Sequence, residues 1–252
     1  MNTLTYIENT IKNKGACYFI LIDPDNLAID QTESFVKHCV KSGVDGFLVG
    51  GSLLINGDLN KSIQSIKEYC DLPVVIFPGS VNQLSDKADA VLFLSLISGR
   101  NAEHLIGKHV LAAPIVKKFN LEAIPTGYML IESGKTTTAE YVSESKPIPR
   151  DKPGIATATA LAGEYLGMKL IYLEGGSGAE NSVPNEMIEM VADQVNIPVI
   201  VGGGIRTPEE ARAKVKAGAK IIVTGNFFEN KNNWDLISLF AASVHSNQSI
   251  EI

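Results

Sequence analysis

The segment PVIVGGGIRTPEEARAKVKAGAKIIVTGN, residues 198–226, reads as a strand, a glycine turn, a helix and a second strand. Its two apolar runs, PVIV and KIIVT, are near-continuous rather than alternating, which is the pattern of parallel strands covered on both faces. Between them TPEEARAKVKAG carries apolar residues at helical spacing and closes on glycine. Gly202, Gly203 and Gly204 join the first strand to the helix, so some group must approach this backbone so closely that a side chain is excluded.

The same alternation extends over the rest of the chain. Apolar runs stand at CYFILI (17–22), GFLV (46–49), VVIF (74–77), AVLFL (90–94), YMLI (128–131) and LIYL (170–173), making eight with the two above. Helix-like stretches such as TESFVKHCVKSG (32–43) and NKSIQSIKEYC (60–70) lie between them. Strand and helix in alternation build a parallel sheet. Eight such units in 252 residues suit an α/β fold of the (β/α)8 TIM-barrel type, whereas a doubly wound sheet more often has about six strands. With no repeat, linker or low-complexity tail, residues 1–252 read as a single domain. Two stretches break the rhythm: a full helix is hard to place in VLFLSLISGRNAEHLIGKHVLAAPIV (91–116), and a polar segment over 132–152 precedes the helical run PGIATATALAGEYLG. The run WDLISLFAA (234–242) reads as the last barrel helix or as an oligomer contact.

A formal charge of −6 argues against a nucleic-acid footprint, which needs a basic face. Cys17, Cys39 and Cys70 are odd in number and lack CxxC spacing, so they read as reduced thiols of a cytoplasmic protein. The N-terminal MNTLTYIENTIKNKG is broken by charges and has no signal-peptide or membrane-spanning character.

In a barrel the active-site groups sit at the C-terminal ends of the strands, and the loops after the seventh and eighth strands commonly hold a phosphate. Gly202-Gly203-Gly204 follows the seventh run, and Thr224-Gly225-Asn226 follows the eighth. Two small-residue turns that each open a helix offer backbone N–H groups and a favourable dipole to a phosphate monoester; a pair of tight turns with no ligand is the alternative. SGKTTT (133–138) resembles the end of a nucleotide P-loop, but Met129 stands where its first glycine is required, so Lys135 reads as a loop lysine, either solvated or reaching an anionic substrate. Arg100 and Lys117 are further cationic candidates for a diphosphate.

Asp23, in LIDPD (21–25), ends the first strand, and Pro24 after it fixes the turn; the residue either faces a ligand or metal, or makes a local turn or cap. Ser52, after Gly50 and Gly51, brings a hydroxyl to the same rim. A carboxylate and a hydroxyl completed by phosphate oxygens suit Mg2+. In YLEGGSGA (172–179) Glu174 ends the sixth strand, where it can accept a proton or hold a hydroxyl, or simply cap its loop; Tyr172 and the N–H groups of Gly175, Gly176 and Gly178 flank it. His38, His104, His109 and His245 have no metal-ligand spacing.

LIDPD, DGFLVGGS, YLEGGSGA, VGGGIRTPEEA and VTGNFFE, in this order, closely resemble the geranylgeranylglyceryl phosphate synthase and heptaprenylglyceryl phosphate synthase family over about residues 17–229. YLEGGSG together with DPD and VGGS is the specific part of the match. The resemblance implies a modified TIM barrel in which an extended segment replaces one helix, with the irregular stretch after Val91 as its expected counterpart. It implies a Mg2+-dependent prenyltransferase that joins the 3-hydroxyl of sn-glycerol 1-phosphate to geranylgeranyl diphosphate as an ether of lipid biosynthesis, releasing diphosphate. Asp23 and Ser52 match the family's Mg2+ ligands. Tyr172, Leu173, Glu174, Gly175, Gly176, Ser177 and Gly178 match its glycerol phosphate segment, and Gly203, Gly204, Gly225 and Asn226 match its phosphate turns. Glu174 and Tyr172 are the expected catalytic pair, and a homo-oligomer, dimer or hexamer, is the expected assembly. Some members carry a Lys two residues before the metal Asp; here that residue is Leu21, as in the family's second subgroup. A prenyl tail also needs an apolar groove, for which Phe93, Leu94, Leu96, Ile97, Tyr128, Met129 and Tyr141 are candidates. The competing readings are the same reaction with a longer donor such as heptaprenyl diphosphate, a sugar-phosphate isomerase or epimerase, and a non-catalytic phosphometabolite binder.

Overall fold

A computed structural model describes residues 2–27 and 29–245. The eight apolar runs form eight parallel strands: β1 (Cys17–Ile22), β2 (Gly46–Val49), β3 (Val74–Ile76), β4 (Ala90–Leu96), β5 (Glu122–Leu130), β6 (Leu170–Glu174), β7 (Val199–Gly202) and β8 (Ile221–Thr224). They pair in sequence order, and β8 pairs back onto β1 with Cys17 opposite Ile221 and Ile20 opposite Thr224, closing a TIM barrel. β5 begins several residues before the run that announces it, because EAIPTG contains residues of low strand propensity that are tolerated where neighbouring strands supply the pairing.

Alternation along each strand sorts the side chains into two layers. Phe19, Leu48, Val75, Leu92, Ile124, Tyr172, Ile200 and Val223 fill the barrel interior. Ile20, Val49, Ile76, Leu173, Val201 and Ile222 face the surrounding helices. The outer layer comprises α2 (Ile29–Lys41), α3 (Leu59–Tyr69), α4 (Lys108–Phe119), α5 (Thr138–Ser143), α6 (Pro153–Tyr165), α7 (Asn185–Ala192), α8 (Pro208–Lys216) and α9 (Ile237–Val244). The run 234–242 is thus the last barrel helix, with Ile237, Phe240, Ala241 and Val244 buried. α8 begins with a capping box in which the Thr207 side chain accepts from the Glu210 N–H and the Glu210 side chain accepts from the Thr207 N–H.

The position expected for the replaced helix is corrected. The stretch after Val91 holds β4, a π-helical turn over Glu103–Gly107 and the full helix α4, whereas the connection without a helix is 77–89, between β3 and β4. Apolar density around 91–116 hid α4 because strand and helix follow each other with little polar punctuation, and Pro114 falls inside the helix.

The polar N-terminal segment forms α1 (Thr3–Lys14), which seals the barrel floor by placing Ile7 against the interior layer, with Leu4, Tyr6 and Ile11 packed beside it. The Glu122 carboxylate accepts from the N–H groups of Thr3 (2.5 Å) and Leu4 (3.0 Å) at its start. At its end, Lys14 donates to Asp45 Oδ1 (2.5 Å), while His245 Nε2 and the Tyr18 N–H lie 2.8 Å from Asp45 Oδ2. Burial raises the Asp45 pKa, but the hydrogen bonds from His245, Lys14 and Tyr18 outweigh it and hold the carboxyl below its ordinary range. Asp45 thus ties α1, β1 and the residue after α9 to one point. Asp45→Ala leaves a buried imidazole, an ammonium and a backbone N–H without their acceptor, and the expected loss in chemical denaturation is about 3–5 kcal/mol.

Candidate active site

Every rim residue singled out above lies at a strand's C-terminal end, so the parallel closed sheet gathers them at one mouth. Glu174 continues the interior register of Leu170 and Tyr172 and is 6% exposed. The Gly176 N–H donates to its Oε1 at 2.6 Å, and the Tyr172 hydroxyl donates to the same carboxylate. Burial nevertheless dominates and raises the Glu174 pKa to about 7. Below it, Phe77 stacks on Tyr172 (ring centroids 5.4 Å) and meets Tyr128 edge-on (5.8 Å), while Tyr128 meets Tyr172 edge-on (5.4 Å). These three rings form the low-dielectric floor that shifts the carboxyl.

The glycines are required by close approach. A Cβ on Gly203 would stand 2.5 Å from Glu174 Oε1, and its φ of +84° also excludes ordinary side chains. A Cβ on Gly202 would overlap the Tyr172 hydroxyl, and one on Gly176 would overlap Thr137. Part of the answer to the triple glycine is therefore internal: β7 must pass close to the Glu174–Tyr172 pair. The rest is a polar recess lined by Gly178, Gly204, Arg206, Asn226, Asn230 and Asn233, where both small-residue turns converge. Leu21 packs against Gly225 at the edge of this region. Gly175, Ser177 and Gly178 lie in the same β6 loop, with Ser177 exposed. Leu173 is not brought into the mouth; its side chain is fully buried in the layer between sheet and helices.

Asp23 lies three strands round the barrel from Glu174. Its Oδ1 accepts from the Asp25 N–H (3.0 Å), and its Oδ2 faces Gly51, where a Cβ would stand 3.0 Å away. Burial, offset by the Asp25 N–H and reinforced by the charge of Asp25, raises the Asp23 pKa. Glu229 is raised by burial and in part by Asp23, so negative charge accumulates here. Asp25 and Gln83 build the platform beside it. Asp25 accepts from the N–H groups of Ile55 (2.8 Å), Asn56 (2.9 Å) and Gly57, anchoring the loop after Ser52. Gln83, 5% exposed in the helix-free connection, donates to the Gly51 carbonyl (3.0 Å) and accepts from the Gly79 N–H (3.1 Å). Asp25 was visible as part of LIDPD, but nothing near Gln83 in the sequence marks its role.

Among the described residues, no cluster of three or more His, Cys, Asp or Glu could by itself hold a metal. The Asp23 carboxylate, with its Oδ2 turned toward Gly51 next to Ser52, is a hard oxygen donor of the kind a divalent cation takes together with water and substrate oxygens.

The helix-free connection leaves an apolar groove running from Ser52 and Tyr128 across β4, walled by residues 77–84 on one side and α4 on the other. Phe93, Leu94, Leu96 and Tyr128 line it. Met129 is buried in the helix-facing core, Ile97 packs against that core, and Tyr141 is exposed, so these three do not belong to the groove. His109 lies in its wall with its ring edge-on to Phe93 (4.7 Å), and burial lowers its pKa, keeping it neutral. Arg100 donates to the Gly99 carbonyl (2.7 Å), and Lys117 is exposed on α4; neither lines the groove or the recess.

The PcrB family model matches residues 8–243. A geranylgeranylglyceryl phosphate synthase of Chitinophaga pinensis is 50% identical over 236 residues, 93% of each chain. One from Thermococcus kodakarensis is 47% identical over 226 residues, 89% of this chain and 88% of that one. The crystal structure of (S)-3-O-geranylgeranylglyceryl phosphate synthase from Thermoplasma acidophilum in complex with its substrate sn-glycerol-1-phosphate superposes with a TM-score of 0.91 at 36% identity, covering 97% of this chain and 99% of that one.

The Glu174 shift carries a pH signature. Between its ordinary 4.5 and about 7 the folded chain holds a proton that the unfolded chain releases, so this stabilisation is complete below 4.5 and lost as pH rises through about 7. Glu174→Gln removes the dependence; above pH 7 the variant should be the more stable by roughly 3 kcal/mol in denaturant titrations. A reaction that uses Glu174 as base should gain tenfold per pH unit below about 7 and level off above it.

Proposed function

The chain belongs to the PcrB family, and on that premise we propose that it transfers a geranylgeranyl group from its diphosphate to the 3-hydroxyl of sn-glycerol 1-phosphate, forming an ether for lipid biosynthesis. The observation that carries this reading is the presence of two unlike sites on one mouth of the barrel: a polar recess bounded by glycine turns, and an apolar groove opening beside Ser52. An isomerase or epimerase has no use for such a groove, whereas at ~0.8 kcal/mol per buried methylene it supplies most of the affinity for a prenyl tail.

In this mechanism the recess binds the phosphate through the backbone at Gly203, Gly204 and Gly225 and the side chain of Asn226, with Gly175, Gly176, Ser177 and Gly178 around the glycerol. Leu173 contributes as the buried link between Tyr172 and Glu174. Glu174 accepts a hydrogen bond from the 3-hydroxyl and takes its proton as the oxygen bonds to C1 of the donor; the C1–O bond to diphosphate breaks and its electron pair leaves with the diphosphate. The alcohol is too weak an acid to ionise beforehand, so proton loss accompanies bond formation. Tyr172 orients the carboxylate, and its ring, with those of Phe77 and Tyr128, offers π faces to an allylic carbon acquiring positive charge. Mg2+ held by Asp23 and Ser52 would stabilise the charge of the departing diphosphate.

Incubating the protein with Mg2+, sn-glycerol 1-phosphate and C15, C20 and C35 prenyl diphosphates should give the C20 ether by mass spectrometry; a C35 product alone would assign the longer donor, and no ether from folded, metal-loaded protein would overturn the reading. Glu174→Gln should cut turnover roughly a hundred- to ten-thousandfold while leaving glycerol phosphate binding nearly intact. Asp23→Asn should chiefly raise the donor and metal requirements.

The reading includes a cytoplasmic enzyme that self-associates. No helix among the described residues is long and apolar enough to cross a membrane. Val110 and Leu111 on α4, with Ile155, Tyr165 and Leu166 at α6, leave exposed apolar surface on the two sides of β5 in chain order. A dimer or hexamer that covers it should appear in light scattering, and Tyr165→Lys with Leu166→Lys should shift the mass toward the monomer.

A further inference from the structure

We infer that Lys135 is the cation that neutralises the phosphate of the glycerol substrate, an inference that rests on the function proposed above. The recess formed by the glycine turns is polar and has a single positive charge among its lining residues. Its one charged lining residue is Arg206, whose guanidinium donates to the carbonyls of Ala179 and Glu180 and so braces the β6 loop. Glu174 and Asp23 stand on the same rim. A phosphate dianion bound there carries two negative charges against the single positive charge of Arg206, beside the acidic groups of the same rim, so a second cation is still wanting.

Lys135 comes from the loop between β5 and α5. A Cβ added to Gly178 would lie 3.8 Å from Lys135 Nζ and 3.6 Å from Asn226 Nδ2, so the ammonium and the amide converge on the space above this glycine. Among the described residues, Lys135 forms no ion pair with Asp or Glu. The loop that carries it is tethered on both sides. Before it, the Asn181 N–H and Nδ2 donate to the Ser133 carbonyl at 3.0 and 3.3 Å, and Gly134 turns the chain with φ of +95°. After it, Thr137 is buried against Gly176 and its side chain caps α5 by accepting from the Glu140 N–H. Both anchors belong to the β6 loop, so the lysine and the glycines it faces are held in one unit. Asn226 from the 3-10 turn after β8 completes the opposite side.

A lysine placed in this way acts as a compact point charge with three donors, suited to a rotating phosphate rather than to a planar carboxylate. It contributes equally to the ground and transition states, because the phosphate is remote from the bond that forms; its loss therefore appears in KM and not in kcat.

The test is Lys135→Met, with Lys135→Arg beside it, assayed with saturating C20 donor and titrated with sn-glycerol 1-phosphate and with inorganic phosphate by calorimetry. The methionine variant should raise KM for sn-glycerol 1-phosphate roughly ten- to hundredfold, leave kcat and the donor KM within about twofold, and lose phosphate binding to a similar degree. The arginine variant should recover most of the loss. Wild-type-like KM and phosphate binding in Lys135→Met would overturn the inference while the proposed reaction stands. A fall in kcat with unchanged KM would also overturn it, placing Lys135 in positioning the loop. Failure of the wild-type protein itself to bind sn-glycerol 1-phosphate would instead defeat the functional reading on which the inference rests.

Discussion

Pairing of β8 with β1 is the constraint from which the site follows. Until those strands meet, the Asp23 turn and the Gly225 turn belong to opposite ends of the sheet; once Ile20 lies opposite Thr224 they are neighbours on one rim. Closure also leaves no open edge and makes the interior a column of packed side chains, and because every pairing is parallel all eight strand ends point the same way. Leu170 and Tyr172 are part of that column, and Glu174 is its next inward position. Its environment is thus decided before any ligand is considered.

The rim holds two carboxylates with different surroundings. Glu174 is buried above aromatic rings and keeps one backbone donor and one hydroxyl, which fall short of offsetting desolvation. Asp23 is only half-buried, has an oxygen turned toward a glycine that leaves room beside it, and shares its neighbourhood with Asp25 and Glu229. The first environment favours a group that exchanges a proton near neutrality; the second favours a carboxylate that meets a cation.

Omission of one helix has consequences on both sides of the sheet. The connection from Phe77 to Asp89 lies against β2 so closely that a Cβ on Gly50 would overlap the Phe77 carbonyl, and Gln83 stitches it to Gly51. The same economy of bulk opens the groove along β4, which α4 then walls. Support for the Ser52 turn and space for an apolar ligand arise from one departure from the regular barrel.

The eight strands and their parallel order were legible in the sequence, because apolar runs, helical spacing and glycine turns are short-range patterns that a barrel repeats at each unit. The helix-free connection was not, since apolar density in 91–116 resembles irregular chain and the polar, helix-free 77–89 carries no positive signal of its own. What depends on pairs far apart in the chain emerges only on folding: Gln83 on Gly51, Phe77 on Tyr172, Lys135 beside Gly178, and the elevated pKa of Glu174. No periodicity encodes such pairs. Their energies come from desolvation and close approach, which exist only after the strands have closed and brought those groups within a few ångströms of one another.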